Sequence, residues 1–169
     1  MVFSVDRGGT RVLIRPIEPG DKEKLATGLH RLSRESIRKR FLAAKPRFTA
    51  AELRYLTEVD GVNHIALVAV LESDPDVLVA VARCVRLPDR HDTAEMAIVV
   101  GDPWQSQGLG RALANALADA ARAAGIRRFA ATMLGDNEAA RRLMRTFALR
   151  LEEGIVAGGI REVLVELAA

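Results

Sequence analysis

Apolar and polar residues alternate in Arg11-Val12-Leu13-Ile14-Arg15-Pro16, which predicts a first β-strand ended by Pro16, Pro19 and Gly20. Leu25, Leu29 and Leu32 then recur at helical spacing, so residues 22–32 read as a helix with Asp21 as its cap. A second helix runs from Ser33 or Glu35 to Ala44, with Ile37, Phe41 and Leu42 facing inward, and Lys45-Pro46 breaks it. Thr49-Ala50-Ala51-Glu52 is a capping box that opens a third, short helix ending near Val59. Residues 65–71 and 77–87 are apolar runs on either side of Ser73-Asp74-Pro75-Asp76, a hairpin signature. After a turn at residues 88–92, residues 93–100 form the next antiparallel strand.

The pattern then changes period. Positions 109, 113 and 117, with 112, 116 and 120, form the apolar stripe of a helix that Gly125 ends as a left-handed cap. Residues 127–133 form a strand, and Asp136 or Asn137 starts a helix to about Phe147. Residues 149–156 and 161–167 close the chain as a hairpin around Gly158-Gly159. The strand-helix-strand unit at 93–133 is a parallel crossover in an otherwise antiparallel order. The expected fold is α/β (α+β): one domain over residues 1–169, a mixed, mostly antiparallel sheet of about seven strands flanked by about five helices.

Composition narrows the class. With 49% hydrophobic and 28% charged residues, the chain is expected to be globular rather than disordered. The longest apolar run, residues 65–71, is too short to span a bilayer, and residues 1–10 lack the apolar core of a signal peptide. One cysteine, Cys84, excludes an internal disulfide and a multi-cysteine metal site, so the default location is cytoplasmic. Cys84 reads as a small core residue, and His30 and His64 lack metal-ligand spacing, so no metal is expected. A net charge of +3 does not call for a nucleic-acid partner, and 4% aromatic residues disfavour stacking on single strands.

The candidate chemistry centres on Trp104-Gln105-Ser106-Gln107-Gly108-Leu109-Gly110-Arg111, a two-glycine turn between a strand and a helix start. Such a turn aims unpaired N–H donors, together with the positive end of the helix, at an anion, and glycine lets a ligand approach the backbone. It is neither a nucleoside-triphosphate P-loop nor a dinucleotide fingerprint, because Leu113 stands where the latter needs a third glycine.

Gln105, Gly108 and Gly110 match Gln/Arg-x-x-Gly-x-Gly/Ala, which resembles the coenzyme A pyrophosphate loop of the GNAT superfamily of N-acyltransferases. Arg15-Pro16 with Asp21 resembles that family's opening, and Asn137-Glu138-Ala139-Ala140-Arg141-Arg142-Leu143 its Asn-x-x-Ala-x-x-Leu helix. Leu32-Ser33-x-x-Ser36-x-x-x-Arg40-Phe41 is similar to a segment of the Pat-type protein lysine acetyltransferases. The chain departs from the family at Met144, where a tyrosine general acid is usual, and at Ala148-Leu149 in place of Gly-Phe.

The resemblance implies acetyl-CoA as cosubstrate. It implies that the strand before the loop splays from its neighbour and offers the backbone of Ile98 and Val100 to pantetheine. The cofactor-binding set expected on that basis is Ile98, Val99, Val100, Gln105, Ser106, Gln107, Gly108, Leu109, Gly110, Arg111 and Asn137, the last also a candidate helix cap. Acetyl transfer to an amine needs a base, an oxyanion donor and a leaving thiolate. Glu95 is the expected base, made stronger by partial burial beside Met96 and Ile98; its alternative role is a surface ion pair. Glu58, Asp60 and His91 are substitutes, and an N–H near Val99 or Val100 would serve the oxyanion.

The resemblance implies an acceptor amine; a lysine of another protein is the expected one, and the chain is expected to be a monomer or a homodimer. A small-molecule amine acetyltransferase, a non-catalytic acetyl-CoA sensor and a ligand-free interaction module stay open. Arg31, Arg34, Arg38, Lys39 and Arg40 are either a solvated helix face or a guide for an acidic partner. The regulatory domain common in Pat-type enzymes is not expected within these 169 residues.

Overall fold

The computed structural model describes the backbone of Val2–Ser4 and residues 9–168 in full. Most of the stretch read for a signal peptide, residues 1–10, lies outside the described residues. The elements are β1 (Val2–Ser4), β2 (Arg11–Pro16), α1 (Lys22–His30), α2 (Arg34–Phe41), α3 (Ala50–Thr57), β3 (His64–Leu71), β4 (Leu78–Leu87) and β5 (Arg90–Val100). After these come α4 (Leu109–Ala123), β6 (Arg128–Leu134), α5 (Glu138–Arg145), β7 (Ala148–Glu153) and β8 (Ile160–Leu167). They build one eight-stranded sheet in the order β1-β2-β3-β4-β5-β6-β8-β7. The β5–β6 pairing is parallel and every other one antiparallel. The mixed sheet and five helices are those expected; the eighth strand is the short β1.

The sheet is covered on both sides, which is why β3 and β4 read as unbroken apolar runs rather than alternating ones. Ile65, Leu67 and Ala69 of β3 join the core under α4, with Leu109, Leu113 and Leu117. Ala66, Val68 and Val70 face the other way, into a smaller core with Leu25 of α1 and Leu53 and Leu56 of α3. Cys84 is fully buried, and burial pushes its thiol up to about 12, so it acts as a small apolar residue.

Local signals set most of the ends. Thr49 and Glu52 cap α3 reciprocally, at 3.1 and 2.7 Å. Gly125 is left-handed at φ +82 beyond α4. The residues after the turn, 112–125, read as the helix, but α4 already begins at Leu109, because the backbone is helical directly after Gly108. α2 stops at Phe41 instead of Ala44, since Leu42 turns left-handed at φ +60 and donates its N–H to Arg38 O at 2.8 Å.

Asp21 does not cap α1 with its side chain. It is 1% exposed and accepts from both Arg15 Nη1 and Nη2 at 2.7 Å, and from Glu18 N at 2.9 Å. Burial works to raise its pKa, but the Arg15 guanidinium and the Glu18 amide outweigh burial and hold it below the usual carboxylate value. The pair ties the end of β2 to the turn that launches α1.

Asp21→Ala is expected to lower stability to denaturant by about 3 kcal/mol, the cost of stranding a largely buried arginine. Because the folded pKa is depressed, this contribution is complete above the unfolded carboxylate pKa of about 4 and fades as pH falls through the folded value. The gap between wild type and variant should therefore narrow in acid; a gap unchanged from pH 7 to pH 2 would contradict the assignment.

Candidate functional site

The site begins where two strands part. β5 pairs with β4 up to Ala80↔Val100, and Gly101 N extends the ladder to Val79 O at 2.8 Å. With β6 it pairs only at Thr93↔Arg128, Ala94↔Phe129 and Glu95↔Ala130. Backbone groups alternate sides along a strand. Gly101 N–H points to β4, so Val99 points there too. Asp92 O accepts from Arg127 N at 2.7 Å on the β6 side, so Met96, Ile98 and Val100 face that side, where β6 no longer pairs. Val100 O there accepts from Gln105 Nε2 at 2.9 Å. The N–H groups of Ile98 and Val100 open into the gap.

The glycine turn fills the mouth of this gap. Ser106 and Gly108 are both left-handed, at φ +59 and +81, and this reverses the chain into α4. The first helical bond there is Ala112 N to Gly108 O at 3.0 Å, which leaves the preceding N–H groups of the first turn outside the helix's own ladder. A Cβ on Gly110 would stand 3.5 Å from Val100 Cγ2, an ordinary contact, so this glycine keeps the cavity wall low rather than relieving a clash.

A cavity of about 390 Å³ results. Ile98, Val99 and Val100 form its strand wall, Gln105, Ser106, Gly108, Gly110 and Arg111 its loop wall, and Asn137 its far rim. Two residues of the expected set do not line it. Gln107 turns back to donate from Nε2 to Pro103 O at 2.7 Å, and the Leu109 side chain is fully buried in the core, where it anchors the start of α4. Asn137 does cap α5, its Oδ1 accepting from Ala140 N at 3.1 Å. Lys39, Arg40, Arg111 and Arg142 also line the cavity and no carboxylate does, so it suits an anionic ligand. Lys39, Arg40 and Arg142 were not in the expected set; only the basic α2 stretch and the α5 motif pointed to them.

The α2 segment is fastened to this loop. Ser33 caps α2 by accepting from Ser36 N at 3.1 Å. Asp102, in the turn after β5, accepts from Ser33 N at 3.0 Å, Ser33 Oγ at 2.7 Å and Ser36 Oγ at 2.9 Å. Gln105 Nε2 donates to Ser36 Oγ at 3.1 Å. Burial works to raise the Asp102 pKa, yet the Ser33 and Ser36 donors hold it low. Asp102 was not singled out in the sequence because its partners lie 66 and 69 residues away.

Glu95 is the last β5 residue paired with β6, at the apex of the gap. It is exposed, so the partial burial expected beside Met96 and Ile98 is absent: those two side chains point to the α4 face, and Glu95 to the α1–α3 face. Its charge acts on Arg40. Glu58 is paired with Lys22 at 2.8 Å. Asp60 organises its loop by accepting from the amides of Val62, Asn63 and His64, which push its pKa far down. His91 and His30 are exposed. Met144 is 3% exposed in the α4-side core and does not line the cavity. Among the described residues, no group of three or more His, Cys, Asp or Glu is placed to hold a metal, and no helix is long and apolar enough to cross a membrane.

On the α1–α3 face a second cavity, about 260 Å³ and mostly apolar, lies between Leu25, Leu29, Phe41, Phe48 and Trp104. Val99 of β5 contributes to the walls of both cavities.

Comparison with known proteins agrees with this geometry. Residues 31–148 match the model of the acetyltransferase (GNAT) family. The chain is 39% identical over 139 residues to acetyltransferase Pat of Mycolicibacterium smegmatis, covering 82% of this chain and 41% of that protein. An acetyltransferase of Pseudomonas aeruginosa is 31% identical over 85% of this chain and 75% of its own length. The crystal structure of the GNAT domain of S. lividans PAT superposes with a TM-score of 0.86 at 28% identity, covering 99% of this chain and 96% of that one. The chain thus spans less than half the length of the Pat protein it matches, and nearly all of an isolated GNAT domain. It belongs to the GNAT family of acetyltransferases, enzymes that use acetyl-CoA.

Proposed function

We propose that residues 1–169 form one acetyl-CoA-binding domain that acetylates a lysine of another protein in the cytoplasm, with Glu95 as general base. The observation that carries this reading is the cation-lined cavity beneath the glycine loop, whose strand wall shares Val99 with the apolar cavity on the α1–α3 face. The Glu95 side chain points to that same α1–α3 face, at the apex of the parted strands.

Acetyl-CoA supplies a thioester carbonyl open to attack by an amine. The first-turn N–H groups of α4, with Lys39, Arg111 and Arg142, would hold its phosphates. The open N–H groups of Ile98 and Val100 would pair with its pantetheine arm, and the Asn137 amide NH2, left over from the cap, would add to that. Val100 N–H is the better oxyanion donor of the two candidates, because Val99 N–H is turned to β4. A lysine amine, with a pKa near 10, arrives protonated. Glu95, exposed at the apex, takes that proton directly or through one water. A departing thiolate, with a thiol pKa near 8.5, tolerates the lack of an acid at Met144.

The Leu32–Phe41 similarity to Pat-type enzymes and the basic face of α2 support a protein acceptor. The 260 Å³ apolar cavity favours the second reading, a small amine with an apolar body.

Three outcomes are expected. Gly108→Val, which forces a β-branched residue to φ +81, should abolish acetyl-CoA binding by calorimetry while the circular dichroism stays native; full affinity would remove the loop from the site. Glu95→Gln should lower turnover about a hundredfold with acetyl-CoA affinity kept, whereas a wild-type rate would move the base elsewhere. Labelled acetyl-CoA given to a protein extract and to a panel of polyamines, amino acids and aminoglycosides should mark lysines on a few proteins. Rapid turnover of one small amine without protein labelling would establish the second reading.

A further inference from the structure

Beside Val99, on the α1–α3 face, lies a third cavity of about 40 Å³. Its walls are apolar, Phe41, Phe48, Leu56 and Val81 among them, apart from two guanidinium groups, Arg40 of α2 and Arg83 of β4. Arg83 interrupts the apolar, buried stretch of β4 from Leu78 to Cys84 and is 6% exposed. The two hydrogen bonds described for it both run from Nη1, to Leu56 O at 3.1 Å and His64 Nε2 at 3.0 Å. Both acceptors are neutral. Burial first, and then the charge of Arg83, brings His64 down to about 4, so at pH 7 it gives no negative charge and no proton.

Among the described residues, no carboxylate stands within ion-pair distance of Arg83 or Arg40. Burial and the charge of Arg40 lower Arg83 to about 10, and burial lowers Arg40 against the pull of Glu95; both remain cations at pH 7. Buried charges in folded proteins are normally paired. Here two like charges share an apolar cavity next to the acceptor face: Arg83 is buried with neutral partners only, while Arg40 is half-buried over the Phe41 ring at 4.8 Å and feels Glu95 only from beyond ion-pair distance.

We propose that Arg40 and Arg83 form an anion subsite that receives a carboxylate lying close to the acceptor's reacting amine. The proposal rests on the acetyltransferase reading above, with the acceptor on the α1–α3 face. Arginine forks suit a carboxylate, and the small cavity has room for a group of that size. Glu95, whose charge acts on Arg40, would then face the acceptor's ammonium end while the arginines hold its carboxylate end. The carboxylate is either that of a free amino acid or that of an aspartate or glutamate beside the target lysine in a protein.

The test compares four acceptors: two peptides that differ only in Glu or Gln next to the lysine, and free lysine against lysine amide. In the wild type the acids should be preferred roughly tenfold in kcat/KM, through KM, the worth of one charge-assisted hydrogen bond. A preference confined to the peptides assigns the protein source, and one confined to free lysine assigns the amino acid. Arg83→Met should erase the preference, Arg83→Lys should keep part of it, and acetyl-CoA affinity should not change, since Arg83 does not line that cavity. Equal wild-type rates on acid and amide overturn the subsite and leave the acetyltransferase standing, even if the variants misfold. No transfer to any amine overturns the reading beneath it.

Discussion

The structure depends on β5 leaving β6 after Glu95. Up to that residue β5 is an ordinary inner strand, held on both sides. Beyond it β4 alone holds β5, and β6 follows β8, with which it pairs along its whole length from Arg128↔Glu166 to Leu134↔Ile160. A sheet opened in this way leaves backbone donors unmet unless something takes their place. Gln105 satisfies one carbonyl, and the start of α4 stands over the gap with its own unpaired N–H groups. Two sets of unmet donors therefore converge on one cavity. Gly101 lets the turn sit close: a Cβ there would stand 3.1 Å from Val79 O and 3.3 Å from the Trp104 ring.

The opening is braced from the α2 side by Asp102. One carboxylate takes three donors from Ser33 and Ser36, and such charged hydrogen bonds are each worth about 1.5–3 kcal/mol. Gln105 bridges the same Ser36 to Val100. The glycine loop and the helix over the second cavity are thus one mechanical unit, so a displacement of α2 also bears on the loop.

What was legible in the sequence was local. The Gln105–Gly110 spacing, the Thr49–Glu52 box, the α4 stripe and the parallel crossover each depend on near neighbours, and each stands where expected. What depends on distant partners was not legible. Asp21 looked like a cap because its arginine is six residues upstream, across a turn. Glu95 was expected to be partly buried because its neighbours Met96 and Ile98 are apolar, but alternation puts those on the other face. Gln107 and Leu109 sit inside the motif, yet a tight turn points only some of its side chains into the cavity. Arg83 did leave a signal: a charge in the middle of an apolar strand needs a reason, and only the fold shows the second arginine across from it.

The parted strands make a claim about single amides. Hydrogen exchange resolved to individual residues, with and without acetyl-CoA, reads it directly. The Val99 amide, bonded to β4, should be protected in both states, while those of Ile98, Val100 and the first turn of α4 should exchange faster in the free protein and slow on binding. Full protection of Ile98 and Val100 before ligand is added, or no change at these amides on binding, would contradict the account.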